Sequence, residues 1–232
     1  MFFVVDAVRD DLMAVPLPVR QEFGHALYVA QTGGAPTHAK PMQGFGSGVL
    51  EIVENQDGDT YRAVYAVRFE EAIYVLHVFN KEKQHRHQNA AARTRYAEIP
   101  PATRPTIARR IFAGAGRKRA EIMNSSTPPI LVSDNIFADL GIPDAEEQLQ
   151  KAQLARAIRA VIADSGLTQQ EAARQMGTSQ SKISLIVGGK LAGFGSDRLL
   201  KYLRALECDI EIKITRKPAN RPQGSFKVIC DV

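Results

Sequence analysis

The stretch LTQQEAARQMGTSQSKISLIVGGK, residues 167–190, carries the densest chemistry in the chain. Thr168 stands three residues before Glu171, the spacing of a capping box, which predicts a helix running to Met176. Gly177 then supplies the positive φ that a sharp turn needs, and Thr178 is placed to cap a second helix. Ala172, Ala173, Met176, Ile183 and Ile186 fall where two crossing helices must touch. The remaining positions of the second helix, Ser179, Gln180, Ser181, Lys182 and Ser184, are hydroxyl, amide and ammonium groups. Such groups match the donors and acceptors of base edges and phosphates in a major groove. Lys190 adds a cation at the end of the stretch, and Gln169 at a helix N-terminus is suited to a phosphate. A helical hairpin used only for structure or protein docking is the alternative, but it has no need of so polar a face.

Elements that would position this face surround it. Residues 144–166 place Leu149, Ala152, Leu154, Ile158, Val161 and Ile162 along one helical stripe ending at Gly166. A last helix over SDRLLKYLRAL, with Ser196 as its cap, leads into a short strand DIEIKIT. Together with Gln169, Ala173, Gly177, Ile183 and Ile186, residues 146–206 resemble the Cro/C1-type helix-turn-helix, which implies DNA binding as a homodimer on a palindromic site.

The front of the chain reads differently. A short strand over residues 2–8 precedes a short and then a longer helix, divided by Pro16 and Pro18 and ended by Gly33 and Gly34. Three β-rich runs follow, GVLEIVEN, TYRAVYAVRF and AIYVLHVFN, the first pair joined through Asp57-Gly58, a hairpin turn signal. This predicts an antiparallel meander with helices on one face. Residues 98–130 hold five of the twelve prolines and read as a linker. The expected fold class is α+β: a small sheet domain over 1–97, a linker over 98–130, an all-α helix-turn-helix domain with a short C-terminal strand over 131–216, and a tail over 217–232.

Composition narrows the function classes. The net charge of +5 is unevenly spread, with −1 over residues 1–97, +4 over 98–124 and +2 over 125–232. The basic middle favours a polyanion or is simply solvated linker. Cys208 and Cys230 have no metal-ligand spacing and are too few for a disulfide framework, so neither a metal nor a cofactor is expected. The apolar opening is too short for a signal or membrane span, so a cytoplasmic protein with no membrane partner is expected.

The stretch DNIFADLGIPDAEEQLQKAQLARAIRAVI resembles the start of HigA-like antitoxins, whose genes accompany toxins of the RelE/HigB superfamily. FGHALYVAQTGG, KPMQGFGSGVLEI and YRAVYAVRFEEAIYVLHVFNKEK resemble successive pieces of that toxin family's phage-derived branch. The resemblance implies a fused toxin and antitoxin: an operator-binding autoregulator carrying a metal-independent messenger-RNA endoribonuclease, inhibited through an intramolecular contact and acting on ribosome-bound message only when freed. An active ribonuclease and a plain repressor with an inert front domain are the alternatives. Ribonuclease chemistry of this kind needs cations for the transition-state phosphate and a group to move protons. On that resemblance the candidates are Arg62, Lys81 and Lys83, with Tyr65 and His77 for stacking or proton handling; for the last two, plain packing is the competing reading. Toxins of this family continue with a lysine-rich loop and a terminal helix, whereas here the chain runs into prolines, leaving a helix reduced to about residues 88–98 or none.

Overall fold

The computed structural model describes residues 2–4, 6–42, 48–67, 73–80, 130–131, 135–219 and 224–231. Lys81, Lys83, the linker up to residue 129 and the expected helix over 88–98 lie outside them.

The front part places helices on a sheet. Strand β1 (Phe2–Val4) is followed by α1 (Asp6–Ala14) and α2 (Leu17–Gln31). Pro16 caps α2 and Pro18 sits in its first turn, where the missing N–H has no helical acceptor to lose, so the prolines divide the helices without breaking either. Strands β2 (Ala39–Pro41), β3 (Val49–Gln56), β4 (Asp59–Val67) and β5 (Ile73–Asn80) form the antiparallel meander. Asp57 and Gly58 have φ of 52° and 87°, the paired positive values of a tight hairpin turn whose twist matches the strands. Three features of the sheet depart from the sequence-based expectation: β2 extends the meander beyond its three expected strands, β1 is only three residues long and pairs in parallel with β5, and β6 (Ile130–Leu131) adds an antiparallel edge to β1. The sheet order is β2-β3-β4-β5-β1-β6.

The helical part comprises α3 (Ile136–Asp139), α4 (Ala145–Asp164), α5 (Gln169–Gln175), α6 (Gln180–Val187) and α7 (Ser196–Ala205). The stripe expected along α4 is buried throughout but serves two cores. Leu149 and Ala152 join α1, α2, the sheet and α3 around Phe23, Leu27 and Phe137, whereas Leu154, Ile158, Val161 and Ile162 pack with Ala172, Met176, Ile183 and Leu199. One long helix thus ties the halves together.

Three local expectations shift. Ser179, not Thr178, caps α6, accepting from Lys182 N, while Thr178 accepts from Tyr202 Oη at 3.3 Å. Gly195, not Ser196, precedes α7. The strand expected over 209–215 belongs to no ladder, because no other strand of the chain lies alongside it among the described residues.

Candidate nucleic-acid interface

The helix pair is built as its sequence requires. Thr168 Oγ1 accepts from Glu171 N, and the Glu171 carboxylate accepts from Thr168 N at 2.9 Å, so both orphan donors of the first turn are satisfied. Thr168 Oγ1 also donates to the Glu171 carboxylate at 2.7 Å, and this bond, with that from Thr168 N, holds the Glu171 carboxyl below its ordinary range. Gly177 has φ of 62°, which lets α6 leave at an angle to α5. Ala172, Ala173, Met176, Ile183 and Ile186 are all buried at the crossing.

At the start of α6, Ser179, Gln180, Ser181 and Lys182 are exposed. Gln180 Nε2 donates to Gln169 Oε1 at 2.8 Å, joining the first residue of α5 to the first of α6. The bond fixes one amide relative to the other. Four of the expected side chains and Gln169 therefore form one surface.

Lys190 does not belong to it, and Ser184, half-buried one turn beyond Gln180, meets the front part through its carbonyl. Both lie toward the opposite end of α6, where the front part of the chain docks. Thr37 N donates to Gly188 O at 3.2 Å and Thr37 Oγ1 to Ser184 O at 3.4 Å. Lys190 Nζ binds Glu54 Oε2 at 3.0 Å, and Glu54 also meets His38 Nδ1 at 3.3 Å. Of the side chains expected at DNA, Lys190 is the one whose ammonium pairs with a buried carboxylate on β3. Sequence could not show this, since a lysine after a glycine pair looks solvated until the sheet arrives beside it.

The same contact includes residues that sequence reasoning did not single out. Phe137 is fully buried against α2, its ring 4.7 Å from that of His25 and directly over Gly24. His25 Nε2 bonds Gln148 Oε1 at 3.0 Å, and burial lowers the imidazole pKa to about 4, so it is neutral here. Arg159 reaches from α4 to Thr32 at the end of α2, donating to its hydroxyl at 2.8 Å and its carbonyl at 3.2 Å, a cation at a helix C-terminus. A cleft of about 370 Å³ remains between the halves, bordered by Pro18, Glu22, Glu54, Leu185 and Lys190. Burial, with the Glu54 charge adding, raises the Glu22 carboxyl to about 7, and Lys190 offsets part of this. The Gly188-Gly189 pair was the one available sequence signal: a Cβ at Gly188 would collide with Thr37 Oγ1.

On the sheet, Arg62 pairs with Phe79 and Val64 with His77, so Arg62 and His77 share a face. Alternation places Tyr61, Ala63 and Tyr65 on the other face, in the core with α1 and α2. Tyr65 is fully buried, which raises its phenol pKa, and this is core packing rather than an accessible site. His77 is buried too, with Nδ1 3.6 Å from Asp11 and its ring 5.1 Å from that of Phe79. Arg62 Nη1 is bonded to Glu51 Oε2, and its side chain is 21% exposed. Lys40 Nζ stands 3.5 Å from the same carboxylate. The guanidinium is thus paired with a carboxylate on β3 that it shares with Lys40, so the trio keeps one net positive charge. Among the described residues, no group of three or more His, Cys, Asp or Glu is arranged to hold a metal ion.

Comparisons with known proteins divide the chain in the same way. Residues 136–215 match the family model of a helix-turn-helix domain, and residues 10–116 match that of phage-derived proteins like Gp49. The second match runs past residue 97 and so covers part of the stretch read as linker. A solved structure described as a putative XRE family transcriptional regulator is 42% identical, aligned over 38% of this chain and 100% of its own, with a TM-score of 0.36. No curated protein matches.

Proposed function

We propose, for a chain that joins a Gp49-like segment to a DNA-binding helix-turn-helix segment, that it is a toxin-antitoxin-like regulator that binds its own operator while its helical half keeps the front half docked. The observation that carries this reading is the division of α6. Its first turn presents Gln180, Ser181 and Lys182 to solvent, whereas its last turn is fastened to the front half through Thr37. DNA can therefore be read without releasing the front half. Paired half-sites about 34 Å apart, bound by two copies, are the matching operator geometry.

A metal-independent messenger-RNA endoribonuclease of the RelE/HigB type is the activity proposed for the docked half, with Arg62, Lys81 and Lys83 as its cations. The ion pair between Arg62 and Glu51 favours a second reading, a repressor whose front half is catalytically silent, because a guanidinium donor already bonded to a carboxylate is not free for transition-state charge.

Binding to the region upstream of its own gene, followed by gel shift, tests the first reading. Replacing Gln180 and Lys182 with Ala should weaken it by about 1–3 kcal/mol for each base-edge interaction removed. Unchanged binding by the double variant would remove α6 from the groove. Cleavage of translated message by the chain, abolished in Arg62→Ala and unaffected by chelator, would decide for the ribonuclease over the silent repressor.

A further inference from the structure

Five of the six large apolar side chains exposed among the described residues lie beyond α7: Ile210, Ile212, Ile214, Phe226 and Ile229. Ile212 and Ile214 are 74% and 91% exposed, values at odds with the high cost of displaying isoleucine to water. The run Asp209-Ile210-Glu211-Ile212-Lys213-Ile214-Thr215 has the period-2 alternation of a half-buried strand. Yet among the described residues it makes no backbone hydrogen bond and joins no sheet. A strand pattern with an apolar face and open backbone groups on both edges requires a partner strand.

The run is complementary to itself. Two copies laid antiparallel about a two-fold axis through Ile212 place Ile212 opposite Ile212 and Ile210 opposite Ile214, all on one face. On the other face Glu211 stands opposite Lys213, twice per pair. Centring the axis on Glu211 or Lys213 sets like charges against each other. Centring it between two residues puts isoleucine opposite a charge. One register therefore satisfies both faces.

We propose that residues 209–215 are a dimerisation strand, occupied by the same segment of a second copy of this chain in that register. The interface is isologous, so it closes at two copies and gives them the two-fold symmetry that a palindromic operator demands. This inference rests on the reading of the chain as a paired-half-site regulator.

The test is sedimentation equilibrium of the full chain, with Glu211→Lys and Lys213→Glu, both at exposed positions outside the two cores. Wild type should be a dimer. Each single variant opposes two like-charged pairs and should raise the dimer dissociation constant about tenfold. The double exchange should restore it. An equimolar mixture of the two single variants should associate as tightly as wild type, because lysines on one strand then face glutamates on the other. A wild-type dimer indifferent to all these changes would overturn the strand assignment while leaving the paired regulator intact. A wild type that stays monomeric even on operator DNA would overturn both.

Discussion

The two ends of α6 are built from similar residues and do opposite things. At the start, Ser179, Gln180, Ser181 and Lys182 are exposed around the Gln180–Gln169 bond. At the end, the carbonyls of Ser184 and Gly188 accept from Thr37, and the Lys190 ammonium pairs with Glu54 of the front half. Serine and lysine occur at both. The difference lies in the neighbours. The polar side chains of the first turn face solvent and Gln169, while the chain leaving the last turn meets Thr37 and Glu54 of the front half. One helix can thus read a polyanion and hold a partner at once, and the two roles should separate under mutation.

The largest separation should come from Phe137. Its ring fills the space above Gly24 and His25, so Phe137→Ala should cost about 3–5 kcal/mol of unfolding free energy, read by denaturant titration. A chain that keeps its stability would show that the halves are not held by this core. Gly188→Ala comes next. The added methyl collides with Thr37, and relieving it should cost about 1–3 kcal/mol, as overpacking does, with increased protease cleavage between the halves. Operator affinity should remain within about twofold if α6 keeps its place, since the altered residue lies away from the groove-facing turn. A parallel loss of DNA binding would mean that the two ends are one site.

The smallest effect is a pH dependence. Glu22 has a folded-state pKa of about 7 against an ordinary 4.5, so the folded protein holds its proton more tightly than the unfolded chain. Its contribution to stability is therefore complete below 4.5 and lost as pH rises to about 7. Glu22→Gln, which imitates the protonated form, should gain stability over wild type across that window and keep the gain above it. His25 acts in the other direction: lowered from 6.5 to about 4, it withdraws stability as pH falls between those values. Equal thermal midpoints for wild type and Glu22→Gln at pH 8 would show that the cleft leaves Glu22 solvated.

Local signals were legible where short-range chemistry decides the outcome. The Thr168–Glu171 box, the turn at Gly177, the Asp57-Gly58 hairpin and the proline-divided helices all depend on residues within four positions of one another. The parallel pairing of β1 with β5 was not legible, because it joins residues about seventy apart and each strand reads the same whichever neighbour it takes. For the same reason period-2 alternation in 209–215 announced a strand but could not supply the partner.

Residue type and spacing alone specified the order of the longer helices and main strands, the polar face of α6, and the separation of a sheet-bearing front from a helical back, but not the short α3. Backbone propensity, capping and turn chemistry are local, and they leave their marks in residue type and spacing. Long-range packing was needed to bring Lys190 to Glu54, to bury Tyr65 in the core while Arg62 meets Glu51, and to make α4 serve two cores. A charged or aromatic side chain takes its role from the dielectric and the countercharge around it. Those are set by segments more than a hundred residues distant for Lys190, and by the register between neighbouring strands for Arg62.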